Sequence, residues 1–300
     1  MRELICALRA MGTERLLENE PMARHTSFHL GGPADLMFFP ASAQELMRAM
    51  ALAREVGVPT CLVGNGSNLI VRDGGIRGLV LVLGENMAQI CVEGETLTAQ
   101  AGAPLARVAS AAQAAGLSGL EFASGIPGTL GGGCAMNAGA YGGQISDVLT
   151  EAEVLLDGEI CRLSREEMQM GYRSTLPLRR GGAVISATFA LHADDPEAIG
   201  ARMRDLNARR REKQPLNLPS AGSVFKRPEG HFAGALIEGC GLKGARVGGA
   251  QVSEKHAGFI VNAGGATAAD VLGLIEKIQE TVRRETGVQL ETEVRILGEG

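Results

Sequence analysis

Residues 63–75 read VGNGSNLIVRDGG, and what flanks this loop decides the fold. Gly64-Asn65-Gly66 supplies a G-x-G, which in dinucleotide and phosphate loops stands between a strand and a helix N-terminus facing the phosphates. Here Leu69-Ile70-Val71 follows, a short β-type run, and after Asp73-Gly74-Gly75 comes a second apolar run from Leu79 to Leu83. Gly-Lys-Ser/Thr does not occur at this loop, nor does a third glycine at the dinucleotide spacing. The loop therefore joins strand to strand, and the usual phosphate motifs fail. Its chemistry still suits an anion. Gly64 and Gly66 tolerate positive φ, so successive N–H groups can converge into a nest, while Ser67 and Asn68 add short donors. The same composition also makes an ordinary surface turn.

The rest of the chain bounds the answer. A length of 300 residues predicts two domains with ample core. The net charge of -5 is spread along the sequence, which argues against a nucleic-acid partner. Arg209-Arg210-Arg211 ends an expected helix and reads as a solvated helix end. No apolar stretch approaches the roughly 18 residues of a membrane span, and the N-terminus lacks a signal peptide's apolar core. Six scattered cysteines without C-x-x-C read as reduced small hydrophobes in apolar surroundings, and five histidines without ligand spacing predict no metal.

Along the chain, Ser42-x-x-Glu45 caps a helix to Val56 that puts Leu46, Met50 and Ala53 on one face. Strands are expected at 60–63, 69–72, 78–83, 88–93 and 95–101, and Pro104 opens a helix to about Ala115. Asp157-Gly158 is a hairpin signal, and a strand covers 183–191. Asp195-Pro196 starts a helix to about Lys213. Helices near 231–239 and 268–286, the latter capped by Thr267, and strands at 256–262 and 288–297 complete the chain. Short strands mixed with helices predict α+β layers instead of a doubly wound sheet.

Residues 119–143, GLEFASGIPGTLGGGCAMNAGAYGG, hold nine glycines in 25 positions. That density forbids regular structure throughout and lets backbone approach a flat ligand closely. With HTSFHLGGPA at 25–34 this makes three Gly-rich segments, which fits a large ligand carrying phosphates and a ring system.

HTSFHLGGPAD, VGNGSNLIVRDGG, GIPGTLGGGCAMNAGAYGG, GYRSTL, AGSVFKRP, GCGLKGARVGGAQVSEKHAGFIVN and ETEVRILG occur in this order. From about residue 20 to 298 they closely resemble the bacterial UDP-N-acetylenolpyruvoylglucosamine reductases of peptidoglycan synthesis. The compact spacing after Tyr172 is similar to the shorter subclass, without an extra tyrosine-bearing loop. Gly133-Cys134 stands where the family more often has Ala-Val.

The resemblance implies a vanillyl-alcohol-oxidase-type FAD-binding region over residues 1–192, its core about 24–191. A smaller α+β substrate-binding domain would cover 193–300. It implies a cytoplasmic enzyme of cell-wall synthesis that uses non-covalent FAD and NADPH as co-substrate. His25 and His29 raise covalent flavin attachment, which the resemblance does not support. The opening loop, Gly64, Asn65, Gly66, Ser67, Asn68 and Leu69, becomes the pyrophosphate cradle. Further cofactor contacts would be Ser124, Gly125, Ile126, Pro127, Gly128, Gly131 and Gly132, then Asn137, Gly139, Ala140 and Tyr141.

The implied reaction reduces an enolpyruvyl ether to a lactyl ether. Hydride reaches the terminal vinyl carbon C3, charge develops at C2 and in the carboxylate, and C2 needs a proton. Arg173 in GYRST supplies a planar cation for the carboxylate. Ser223 in AGSVF matches the family's proton donor, and a neutral hydroxyl is acid enough only for a strongly basic carbanion. Glu293 in ETEVR matches the third catalytic residue, holding a proton or orienting the carboxylate. Tyr172, Lys243 and His256 fall at substrate contacts, and Lys226 and Arg227 at the diphosphate. Another FAD oxidoreductase of the same fold would share the Gly-rich loops without the Arg173, Ser223 and Glu293 set. A non-catalytic nucleotide-sugar sensor would have lost at least one of the three.

Overall fold

The computed structural model describes residues 2–12 and 15–300. The chain forms two compact units: Met1–Leu17 with Met37–Asn65 and Gly78–Arg210, and Glu18–Leu36 with Gly66–Arg77 and Arg211–Gly300.

The first unit is built on a five-stranded antiparallel sheet in the order Glu159–Ser164, Leu149–Leu156, Ala183–Ala190, Thr96–Gln100, Ile90–Glu93. Asp157 and Gly158 turn its hairpin with φ of 52° and 87°, the double positive φ that the Asp-Gly pair allows. Val154, Ala187, Phe189 and Leu97 from the sheet pack with Leu105, Val108, Ala109 and Ala112 of the helix Leu105–Ala114. Thr60–Val63 runs parallel to Leu79–Val82 in register, so strands do flank the opening loop. The helix Ala43–Glu55 has Ser42 as N-cap, its hydroxyl accepting from the Glu45 amide at 3.1 Å. Its buried face is Leu46, Ala49 and Ala53, with Met50 only half-buried. The Glu45 carboxylate reaches the Ala41 amide and Arg15 instead of Ser42.

The second unit centres on the helix Ala268–Thr286, where Val271, Leu274, Ile275, Ile278 and Val282 recur on one buried face. Thr267 and Asp270 form a full capping box, and Gly287 closes the helix at φ 76°. Asp73 adds a cap from a distant segment, its carboxylate accepting from the Ala268 and Ala269 amides at 2.8 and 2.9 Å. A three-stranded antiparallel sheet, Arg246–Val247, Ala250–Val252 and Ile260–Asn262, packs on this helix. Leu69–Val71 pairs in parallel with Arg295–Leu297.

Several sequence expectations are corrected. The strand expected over 256–262 shrinks to Ile260–Asn262, because residues 253–259 turn: Phe259 donates to the His256 carbonyl and the Ser253 hydroxyl accepts from the amides of Lys255 and His256. The strand expected over 288–297 keeps only Arg295–Leu297. The helix Arg2–Gly12 and the strands Leu16–Pro21 and Pro33–Phe38 are additional elements, and a short helix, Leu130–Ala135, forms inside the Gly-rich segment. Of six free cysteines only Cys134 is buried, and burial pushes its thiol up to about 12. Cys6 and Cys91 are exposed. Among the described residues no helix is long and apolar enough to cross a membrane.

Candidate active site

In the first unit the Gly-rich segment is held against the core by its own backbone. Gly131 donates to the Ala101 carbonyl and Leu130 to Ala103, both at 2.8 Å. A Cβ on Gly131 would lie 2.8 Å from that of Ala101, so only glycine permits the approach. Gly133 packs on Leu105, whose Cδ1 would be 2.8 Å from an added Cβ.

Asn65 donates to the Pro127 carbonyl at 3.1 Å, tying the start of the opening loop to Ile126-Pro127-Gly128. Gly64 faces Thr129: a Cβ there would sit 2.4 Å from the Thr129 hydroxyl. Thr129 occupies the N-cap position of Leu130–Ala135 yet makes no cap bond, and its buried Oγ1 has no hydrogen-bond partner among the described residues. A buried hydroxyl without a partner is costly, which leaves this one available to a ligand. Sequence reasoning missed Thr129; its signal was a threonine standing directly before Leu130 in the glycine-rich segment.

Asn137 is buried at φ 43° and commits its side chain to the protein. Its Oδ1 accepts from the Ser146 amide at 3.0 Å, and its Nδ2 donates to the Gly171 carbonyl at 3.2 Å. Gly171 begins the turn that presents Tyr172 and Arg173. Gly171 and Ser174 bridge across it, and Arg173 takes φ 53°, a strained conformation for a side-chain-bearing residue. The half-buried guanidinium lies 5.1 Å from the Tyr172 ring and donates to the Asn137 carbonyl at 3.4 Å. Thr175, fully buried, donates to the Ala135 carbonyl at 2.8 Å. The glycine-rich segment thus positions the arginine turn at both ends.

In the second unit, Gly66 adopts φ 60° and its missing Cβ would fall 2.0 Å from the His25 carbonyl oxygen. Ser27 donates to the Gly66 carbonyl at 3.3 Å. The positive φ expected at Gly64 does not occur; only Gly66 uses it. The chain from Gly222 to Phe225 lies between two segments. Ser223 bridges Phe259, Val224 donates to the Gly258 carbonyl at 2.9 Å, and the Glu293 amide donates to the Val224 carbonyl at 2.7 Å. Ser223 and Glu293 are therefore one residue out of register on adjacent backbones. The Ser223 hydroxyl makes no hydrogen bond among the described residues, although the residue is half-buried.

His256 is clasped between Gly234 and Gly258, whose added Cβ atoms would lie 3.2 and 2.9 Å from its Cε1. Its Nδ1 accepts from the Gly258 amide at 3.1 Å, and Phe259 meets the ring edge-on at 5.0 Å. Burial, with the nearby Lys243 charge, holds its pKa below the ordinary histidine value. Lys243 pairs with Glu238 at 2.6 Å and Lys226 with Glu291 at 3.0 Å. The Arg227 guanidinium lies 4.0 Å from the Phe232 ring centre, and that ring is 62% exposed.

Comparison with known proteins adds the following. Residues 34–164 match an FAD binding domain, and residues 214–297 match the C-terminal domain of UDP-N-acetylenolpyruvoylglucosamine reductase. A reductase of that name from Levilactobacillus brevis is 55% identical, covering 95% of this chain and 94% of its own. One from Clostridium botulinum is 51% identical over 96% and 94%. The crystal structure of UDP-N-acetylenolpyruvylglucosamine reductase from Thermus caldophilus aligns with a TM-score of 0.80 and 36% identity, covering 94% of this chain and 97% of that one. Alkyldihydroxyacetonephosphate synthase shares the fold alone, at 18% identity and a TM-score of 0.51 over 64% of this chain and 41% of its own. The residues fit FAD: Gly64 leaves space in which the uncommitted Thr129 hydroxyl is available.

Proposed function

The chain belongs to the UDP-N-acetylenolpyruvoylglucosamine reductase family, and on that premise we propose that it reduces the enolpyruvyl ether of UDP-N-acetylglucosamine to UDP-N-acetylmuramate. NADPH is the electron source, and FAD, when bound, passes the hydride from it to the vinyl carbon C3. Gly64 to Leu69, Ser124 to Gly128, Gly131, Gly132, Asn137 and Gly139 to Tyr141 would hold the cofactor, with Thr129 added to the contacts.

The protein's own task begins with the charge left at C2 and in the adjoining carboxylate. Arg173 binds the carboxylate and stabilises that charge, with its guanidinium already oriented by Asn137 and Tyr172. Ser223 gives its hydroxyl proton to C2 and recovers one from solvent, so the double bond gains one hydride and one proton. Glu293 orients the carboxylate. One observation carries this assignment: Glu293 is hydrogen-bonded through its backbone to Val224, the neighbour of a serine whose hydroxyl is uncommitted. Tyr172, Lys243 and His256 contact the sugar nucleotide, and Lys226 and Arg227 its diphosphate. Lys226 and Lys243 reach the substrate by giving up the surface carboxylates of Glu291 and Glu238, a cheap exchange because exposed ion pairs are worth about 0–1 kcal/mol. By region, residues 1–192 carry most of the cofactor contacts and 193–300 most of the substrate contacts, in a cytoplasmic enzyme of cell-wall precursor synthesis.

The absorption spectrum of the purified protein tests the reading. A flavin band should bleach with NADPH and return when the enolpyruvyl sugar nucleotide is added. A protein without the band, or one whose bleached band is not restored by that substrate, would overturn it.

A further inference from the structure

The three arginines that end the helix Pro196–Lys213 read from sequence as equivalent solvated charges. The structure separates them. Arg209 pairs with Asp205 at 2.8 Å, and Arg211 is exposed. Arg210 is half-buried, and no carboxylate pairs with it among the described residues. Its Cδ lies 3.1 Å from the point where a Cβ on Gly125 would stand. Asn207, on the same face of the helix, donates to the Ser124 hydroxyl at 3.2 Å and puts its Oδ1 2.4 Å from that same point.

A partly desolvated cation without an anion is costly, and proteins keep one where a ligand completes the pair. Other cations of this unit are satisfied: Arg202 has Glu121 and Asp194, Arg180 has Asp157, and Arg107 has Glu85. Gly125, against which Arg210 packs, and Ser124, bonded to Asn207, are both in the segment assigned to the cofactor. We propose that Arg210 is a cofactor-binding residue that balances negative charge on bound FAD, with Asn207 setting the segment's distance from the helix. Two parts of FAD carry such charge, the diphosphate and the N1–C2=O edge of the reduced ring. Both suit a planar guanidinium.

The inference rests on the assignment of Ser124–Tyr141 to FAD, so its test has two parts. Arg210→Met keeps the stem that packs on Gly125 and removes the charge; Arg210→Gln gives the same test should the first variant fail to fold. FAD dissociation is followed by fluorescence, and the dissociation constant of the flavin–sulfite adduct by absorbance. A diphosphate contact predicts FAD binding weaker by about tenfold or more, with sulfite affinity unchanged in the flavin-bound fraction. A ring contact predicts a sulfite dissociation constant about tenfold higher, with FAD retained. Arg210→Lys should recover part of either loss. FAD and sulfite affinities both within twofold of wild type would overturn the proposal, as would a change confined to the KM of the sugar nucleotide. Gly64→Val tests the cofactor assignment separately. If it loses flavin while Arg210→Met is silent, only the role of Arg210 falls; if it keeps full flavin, the assignment itself falls.

Discussion

The side-chain amide of Asn68 donates to the backbone carbonyl of Glu293 at 3.1 Å, and the Asn68 carbonyl accepts from the Arg295 amide at 2.9 Å. A residue read as part of a phosphate loop is thereby clamped to both sides of the segment carrying the proposed catalytic glutamate. Asn68→Leu keeps the volume and removes one bond. Its stability cost should be about 1 kcal/mol, the usual net value of a hydrogen bond. Turnover should fall about tenfold or more, because small displacements of an orienting group are expensive. Thermal melting and kcat measured together check this, and unchanged turnover would mean that the Val224 and Arg295 bonds hold Glu293 unaided.

Gly64 and Gly66 look equivalent in the G-x-G motif, and the structure gives them different duties. A side chain at Gly64 meets the Thr129 hydroxyl, whereas one at Gly66 meets the His25 backbone at 2.0 Å with φ already at 60°. Gly64→Val should fold with normal far-ultraviolet circular dichroism and lose the yellow colour. Gly66→Val should lose the fold of its unit, since a backbone oxygen cannot swing aside and a β-branched residue resists positive φ. Soluble, folded, flavin-free Gly66→Val would contradict this division.

What sequence made legible follows from how local each signal is. The Asp157-Gly158 turn and the Thr267 cap are closed within a few residues, and both appear in the structure as the pattern indicates. The strand-loop-strand setting of VGNGSNLIVRDGG was equally readable, because Leu69–Val71 offers no helix start. Asp73 was read as the end of that loop, and its function as cap to a helix 195 residues later leaves no mark in any window. Arg210 and Thr129 escaped for the same reason. Each is defined by a partner it lacks, and a sequence does not display missing partners. The overlong strand expected at 288–297 had the right alternation, but isolated pairing such as Phe225 with Thr292 gives extended chain without a ladder.

His256 gives a pH signature. Burial keeps its pKa below the ordinary 6.5, so the folded protein prefers the neutral ring while the unfolded chain takes up a proton. Stability from this site is full above 6.5 and declines as the pH falls below it toward the folded value. Lys243 opposes protonation and Glu238 favours it, so the net direction is a contest that burial wins. In chemical denaturation between pH 5 and 7.5, His256→Gln should flatten the stability profile relative to wild type, the two curves differing most at the acid end. Parallel curves would show that His256 does not titrate as burial requires.

Ser223 separates the two half-reactions. Its hydroxyl is uncommitted and its place in the chain is set by backbone bonds of Val224, so Ser223→Ala should melt near the wild-type temperature. Flavin bleaching by NADPH needs no proton at C2 and should proceed at close to the normal rate. Recovery of the flavin band on adding the enolpyruvyl sugar nucleotide should slow by about 10²–10⁴-fold, the usual worth of a placed general acid. Arg173→Lys should impair the same half-reaction, but with weaker substrate binding as well, because an ammonium cannot reproduce a two-pronged carboxylate contact. Stopped-flow absorbance at the flavin band resolves each step. Equal slowing of bleaching and recovery in Ser223→Ala would remove Ser223 as the proton donor and make it a residue that positions the cofactor.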